Sequence, residues 1–369
     1  MKITNVTLTL FRWENLPEAK YMGGAGSAGR EVQMGLVTIT TDEGIEGHSF
    51  LGASMRGANL DGVSLIDKLK PCLIGQNPLE RERLYREMWR RNRHTTLRCI
   101  GAIDVALWDL GGKVANLPIH AMLGTFRNSI PAYASSPTHT EIAPYIDESQ
   151  EIKAKGFAAY KIHPPTPWDR DIKCCEAVRK AVGDDYTVML DAAWGYNYKN
   201  ALKVGRAIEE LSYDWYEDPL DADDITQYPK LREKLDIPII ATEYSWGSLQ
   251  AYAPWILMNA TDALRGDVAV KGGITPCIKA AHLAEAFGMN YEVHHGGNSV
   301  NNWANLHIIM AIRNTEYFEV ILPDGAQKYG VIDDLEIDKN GHVQAPTGPG
   351  LGCNIDFDLI KAKTVSLLT

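Results

Sequence analysis

Three acidic residues, Asp191, Glu217 and Glu243, each close a short apolar run: YTVMLDAAWGY, DWYEDP and IPIIATEY. The two intervals between them are both 26 residues long. Each holds a segment of helical pattern, YKNALKVGRAIEEL in the first and DITQYPKLREKL in the second, so each reads as strand, helix, parallel strand. Neighbouring strands of that kind bring the three carboxylates side by side at one sheet edge. Charges so crowded repel unless a cation sits among them, and an all-oxygen donor set suits a hard divalent ion, Mg²⁺ first and Mn²⁺ second.

Other groups converge by the same logic. In AAYKIHP, Lys161 and His163 lie two residues apart and so share one face of a strand. A lysine turned into a sheet interior is costly unless it meets negative charge, which the acids on the following strands supply. Its ammonium is expected to keep His163 neutral and fit to act as a base. Asp267 in GDVAV and the pair His294–His295 closing NYEVHH suggest an Asp–His dyad, with the aspartate fixing the tautomer. Adjacent strand residues face opposite ways, so only one of the two histidines can point inward. Glu319 in YFEVI adds one more acid at the same level.

The elements that must position these groups follow from the rest of the chain. Residues 1–13 alternate like a strand, and EVQMGLVTITTDEGIEGHSF (31–50) reads as a hairpin turning at Asp42–Gly44. Two glycine-rich stretches, 16–30 and 52–62, read as mobile loops. Helical periodicity then runs through SLIDKLKPCLIG, PLERERLYREMWRR and LRCIGAIDVALWDLGGKVANLPIHAMLG. From about residue 130 strands and helices alternate, the strands being SIPAYAS, AAYKIHP, TVMLDAA, DWYEDP, IPIIATE, GDVAV, NYEVHH and YFEVI. That pattern predicts an α/β fold: a TIM-type (β/α)7β barrel, its last helix replaced by an irregular tail. The expected division is an α+β capping domain over 1–125, the barrel over 126–322, and a segment 323–369 returning to complete the cap.

Composition bounds the function. A 45% hydrophobic and 23% charged chain is an ordinary globular protein, and its net charge of −10 argues against nucleic acid or an anionic membrane as partner. The six cysteines show no CxxC pattern and read as free thiols in a reducing cytosol. With no signal peptide and no apolar run of membrane-spanning length, a cytoplasmic protein is expected, its expected partners being a small carboxylate substrate and further copies of the chain as a homo-oligomer.

These motifs resemble the enolase superfamily, and within it the mandelate racemase-like subgroup. GAIDVALWDLGGKVANLPIHAMLG is similar to the helical signature closing the family's capping domain. AYKIHP resembles its Lys-x-Lys strand, LDAAW, YEDP and ATEY its three metal ligands, and GDVAVKGGIT with VHHGG its Asp–His dyad. The resemblance implies Mg²⁺ held by Asp191, Glu217 and Glu243. It implies acid/base catalysis by His163, in the place of the second lysine, beside Lys161, and by Asp267 with one histidine on the other face. The family's spacing from the glycine of FG selects His294 over His295. Glu319 matches the carboxyl group that, protonated, helps stabilise an enediolate. Two departures stand out: the second lysine is His163, and the position two after the first ligand, often Asn in the family, is Ala193, followed by Trp194.

A family of this kind removes the proton α to a carboxylate through an enediolate, with a Lys or His base and Mg²⁺. The expected reaction is dehydration of an acid sugar (aldonate or aldarate) to a 2-keto-3-deoxy acid by a hydro-lyase. Arg30, His48 and Arg56 from the cap, with Trp194, are the expected substrate contacts. A racemase or epimerase of a 2-hydroxy or amino acid is the alternative, a lactone cycloisomerase the third, and an inactive metal-binding homologue the non-enzymatic one.

Overall fold

A computed structural model describes residues 1–21, 26–27 (backbone only) and 31–369. Residues 22–25 and 28–30 of the expected loop 16–30, Arg30 among them, lie outside the described residues. The N-terminal strand Ile3–Glu14 pairs antiparallel with Glu31–Thr41, which turns through Gly44 (φ 76°) into Glu46–Leu51. On its other side Ile3–Glu14 pairs with the C-terminal strand Thr364–Leu368, so the sheet combines the two ends of the chain. Helices Arg81–Trp89 and Leu97–Ala115 cover this sheet, and the second is apolar nearly all round because it is sandwiched between sheet and barrel.

The barrel strands are Ser129–Ser135, Ala159–Ile162, Thr187–Asp191, Tyr216–Glu217, Ile239–Ala241, Ala263–Gly266, Asn290–Val293 and Phe318–Ile321. Each pairs in parallel with the next up to the seventh, and the eighth pairs in parallel with the first, giving a nearly closed (β/α)7β barrel. Its lower interior is plugged by Tyr133, Ala159, Met189, Trp215, Ile240 and Ala263. That apolar layer leaves the next layer up, at the strand C-terminal ends, for polar side chains. The helix expected from DITQYPKLREKL is only Tyr228–Arg232, because Pro229 fits a first turn but not a helix interior. All six cysteines are free, and among the described residues no helix is long and apolar enough to cross a membrane.

The cap helix is keyed to the barrel at the loop following Asp267. Asp104 accepts hydrogen bonds from Thr275 N (2.9 Å) and Thr275 Oγ1 (2.6 Å), and Trp108 Nε1 donates to the same hydroxyl (2.9 Å). The two surfaces meet backbone to backbone. A Cβ at Gly101 would lie 2.3 Å from the Val268 carbonyl oxygen, and one at Gly273 (φ 119°) 2.3 Å from the Asp104 carboxylate. The glycine-rich pattern of the cap helix and of VKGGIT therefore serves this close approach.

Candidate active site

The eight strand ends bring most of the singled-out residues into one buried cluster. Asp191, Glu217 and Glu243, on the third, fourth and fifth barrel strands or just beyond, offer oxygens that all lie within 4.8 Å of one another. Lys161 Nζ sits beneath them, 2.9 Å from Glu217 Oε2, 2.9 Å from Glu319 Oε1 and 3.3 Å from Asp191 Oδ2. Burial and the Arg265 guanidinium oppose its charge, but Glu217 and Glu319 outweigh them and hold it well above the ordinary lysine range, as an ammonium.

His163 and His294 stand at the two ends of this row of acids. His163 Nδ1 donates to the Ser136 carbonyl (2.7 Å), which fixes its tautomer and turns Nε2 to Asp191 Oδ2 at 3.0 Å. With no cation beside Asp191, two influences compete over the charge of His163. Burial and Lys161 work against its charge, yet the Asp191 carboxylate raises it above the ordinary imidazole range. On the other side, Asp267 Oδ2 takes the His294 Nδ1–H bond, while Asp267 Oδ1 accepts from Ala269 N and Val270 N. His294 Nε2 then faces Glu243 Oε1 at 3.1 Å. Asn305 ties both ends of this dyad, accepting from Val268 N and donating to His294 O, each at 3.1 Å. His295 points the other way within the same turn. Its ring packs on Phe318 (centroids 4.3 Å), neither ring nitrogen has a hydrogen-bond partner among the described residues, and burial pushes it down to about 3.

Glu319 is an ionised carboxylate here and not the protonated acid expected. Although burial opposes its charge, Arg265 (2.6 Å), Lys161 and the His295 N–H (2.9 Å) hold it well below the usual carboxylate range. Sequence reasoning missed Arg265, a wholly buried guanidinium that contacts Glu217, Glu243 (3.5 Å), Glu319 and the Tyr133 hydroxyl (3.1 Å). Its signal was available: two residues before Asp267, it shares that residue's strand face. Asp218, beside Glu217, was missed as well. It is buried against the pocket, and burial with the neighbouring carboxylates pushes it well above the ordinary range.

The pocket above the cluster is small, about 70 Å³, and is roofed by Tyr21, Ser54 and Met55 of the cap. Tyr21 packs edge-on against His163 (5.7 Å) and donates to the Leu322 carbonyl (2.5 Å). Ala193 (φ 43°) and Trp194 (φ 63°) form a left-handed turn above Asp191, whose Oδ1 accepts from Ala193 N. That turn swings the Trp194 ring over the pocket edge, where it meets Tyr244 edge-on at 5.3 Å. Two expected substrate contacts lie outside this pocket. His48 lies inside the cap on strand Glu46–Leu51, its Nδ1 bonded to Lys113 Nζ (3.1 Å) and its ring edge-on to Phe357. Arg56 is clamped to Asp61 by two 2.9 Å hydrogen bonds and lines an outer chamber, not this pocket.

The donor set fits a divalent cation. Three buried carboxylates present only oxygens, and their crowding, with burial first, pushes Glu217 up to about 7, a penalty that a cation among them would reverse.

Two family models match the chain: the mandelate racemase / muconate lactonizing enzyme N-terminal domain over residues 16–124, and the enolase C-terminal domain-like model over 145–359. The arabinonate dehydratase of Saccharolobus solfataricus is 29% identical over 89% of this chain and 90% of its own length. The N-succinyl-L-Arg/Lys racemase of Bacillus cereus is 30% identical over 89% of this chain and 90% of its own. The crystal structure of D-glucarate dehydratase from Agrobacterium tumefaciens, complexed with magnesium, superposes with a TM-score of 0.89 at 32% identity, covering 99% of this chain and 100% of that one. With these matches spanning both the cap and the barrel that carry the cluster, the chain belongs to the enolase superfamily, in its mandelate racemase-like subgroup.

Proposed function

We propose that this enzyme dehydrates an acid sugar to a 2-keto-3-deoxy acid, with Asp191, Glu217 and Glu243 holding Mg²⁺. The observation that carries the reading is the pair of imidazoles, His163 and His294, at opposite ends of one carboxylate row. When bound, Mg²⁺ supplies Lewis-acid stabilisation of the negative charge that develops on the substrate carboxylate. Lys161, an ammonium already turned to the cluster, adds a fixed positive charge to the same region. With the Asp191 charge taken up by a bound cation, His163 would be neutral and its Nε2 would take the proton from C2, its tautomer set by Ser136. His294 Nε2 delivers a proton to the C3 hydroxyl, which leaves as water, and the resulting enol gains a proton at C3 and releases its C2 hydroxyl proton to become the ketone. The cap residues Tyr21, Ser54 and Met55 keep bulk water from the intermediate.

The activities named for the arabinonate and glucarate dehydratases support an acid-sugar substrate, and a magnesium-bound relative supports the metal. The same two imidazoles would serve a racemase, the activity named for the Bacillus cereus relative. Incubation with a library of aldonic and aldaric acids in deuterated water separates the two. Dehydration yields 2-keto acid, is lost on chelation and returns with Mg²⁺; Glu217→Gln should weaken the metal requirement's midpoint while the fold persists. Full activity after exhaustive EDTA treatment would refute the metal, and α-deuteration without 2-keto product across the library would favour the racemase.

A further inference from the structure

The catalytic pocket, at about 70 Å³, has room for the reacting end of an acid sugar and little more. Trp194 and Tyr244 line it and also line an adjoining chamber of about 740 Å³, well inside the roughly 300–1,000 Å³ usual for small-molecule sites. The chamber lies between the cap segment 89–98 and the loops after the fourth and fifth barrel strands. Trp89, Leu97 and Trp246 give it apolar walls, suited to the C–H faces of a polyhydroxyl chain.

Its charged groups are Arg56, Arg98, Asp221 and Asp223, and three of them are engaged. Arg56 holds Asp61, Asp223 accepts from Trp246 Nε1 (3.2 Å), and Asp221 accepts from Asp223 N (3.1 Å). Arg98, in the first turn of the cap helix, has no carboxylate at ion-pair distance among the described residues. It lines the chamber together with Tyr244, which also lines the catalytic pocket, and its charge acts on both Tyr244 and Asp267. An arginine fork matches a carboxylate in shape and charge, while Asp221 and Asp223 repel an anion from their part of the chamber.

We propose that Arg98 binds a second carboxylate at the far end of the substrate, so that the site is built for dicarboxylic acid sugars in preference to monoacids. This rests on the acid-sugar reading and narrows it to aldarates. Two measurements on the Mg²⁺-loaded protein test it. The first compares kcat/KM for a six-carbon aldarate and the aldonate of the same hydroxyl configuration. Wild type should favour the diacid, and Arg98→Met should reduce that preference on the order of 10- to 100-fold, the worth of a charge-assisted hydrogen bond, chiefly through KM. Arg98→Lys should recover part of it. The second is calorimetric binding of an unreactive straight-chain dicarboxylate against the matching monocarboxylate, which needs no turnover. If no acid sugar is dehydrated but the dicarboxylate binds more tightly and loses that advantage in Arg98→Met, the dehydratase reading fails and the Arg98 assignment stands. Equal affinity of wild type for the two acids, or an Arg98→Met loss that falls equally on both, overturns the Arg98 assignment.

Discussion

Arg265→Met is the substitution that most directly tests how the buried cluster is balanced. Asp191, Glu217, Glu243 and Glu319 face Lys161 and Arg265, which leaves two negative charges that one divalent ion would cancel. Arg265 is completely buried, so methionine fills much of its volume but strands Glu217 and Glu319 beside a single ammonium. Breaking a buried pair from one side costs about 3–5 kcal/mol, because an uncompensated charge remains. At about 2.1 cal/mol/K of unfolding entropy per residue, the 369-residue metal-free variant should melt roughly 5 °C below wild type. The sign for the metal is opposite. A more negative cage binds a cation more tightly, so Mg²⁺ affinity should rise at least about tenfold, equivalent to ~1.4 kcal/mol, and the Mg²⁺-induced gain in Tm should exceed that of wild type. Differential scanning fluorimetry and calorimetric titration at pH 8, on EDTA-stripped protein, measure both. A metal-free Tm equal to wild type, or Mg²⁺ affinity unchanged or weaker, would refute the balance argued here.

The histidines and the cap interface give further tests. His163→Asn should abolish deuterium exchange at C2, whereas His294→Asn should stop elimination while leaving exchange, each costing on the order of 10²–10⁴ in rate; the reverse pattern, read by NMR and 2-keto acid assay, would swap their roles. His295→Asn should be much milder, since its neutral ring faces Phe318; an inactive, folded His295→Asn would contradict that. At Asp104, burial pushes the carboxyl from 3.8 up to about 7, against two hydrogen bonds from Thr275 that hold it down. A folded-state value above the unfolded one means that the native chain retains a proton the unfolded chain releases, so this group's contribution to stability declines as pH rises from about 4 to 7, by on the order of 4 kcal/mol. Asp104→Asn should lose that decline, and urea titrations showing parallel pH slopes for variant and wild type would exclude it.

Much of this architecture could be read in advance because it is written in periodicity. Eight apolar runs alternating with helices are a repeated local signal, and equal spacing put Asp191, Glu217 and Glu243 at equivalent strand ends. What escaped was set by contacts distant in the chain. His48 alternates correctly within its strand, but alternation does not say which layer a face meets; here it meets Lys113 and Phe357 inside the cap. The ionisation of Glu319 depends on Arg265, 54 residues away, and that of His163 on whether Asp191 or Lys161 lies closer to its ring. Arg265 itself passed as one more charged residue near a loop, although its position relative to Asp267 was as informative as that of Lys161 relative to His163.

The contact of Gly101, Asp104 and Gly273 bears on how such enzymes can be re-engineered. Transplanting a capping domain from one relative to another is an attractive route to new specificity, since the cap supplies Tyr21, Ser54 and Met55 over the pocket. At this seam, however, a single added methyl group on either side would sit 2.3 Å from an oxygen of the other. A chimera would therefore have to carry both glycines and the Asp104–Thr275 pair as one transferable unit. It would also inherit a constraint on the catalytic side, because the loop that receives the cap helix begins at Asp267, the residue that orients His294. A graft that fits loosely would displace the dyad as well as the lid, and would lose turnover on every substrate before any change in preference could be seen.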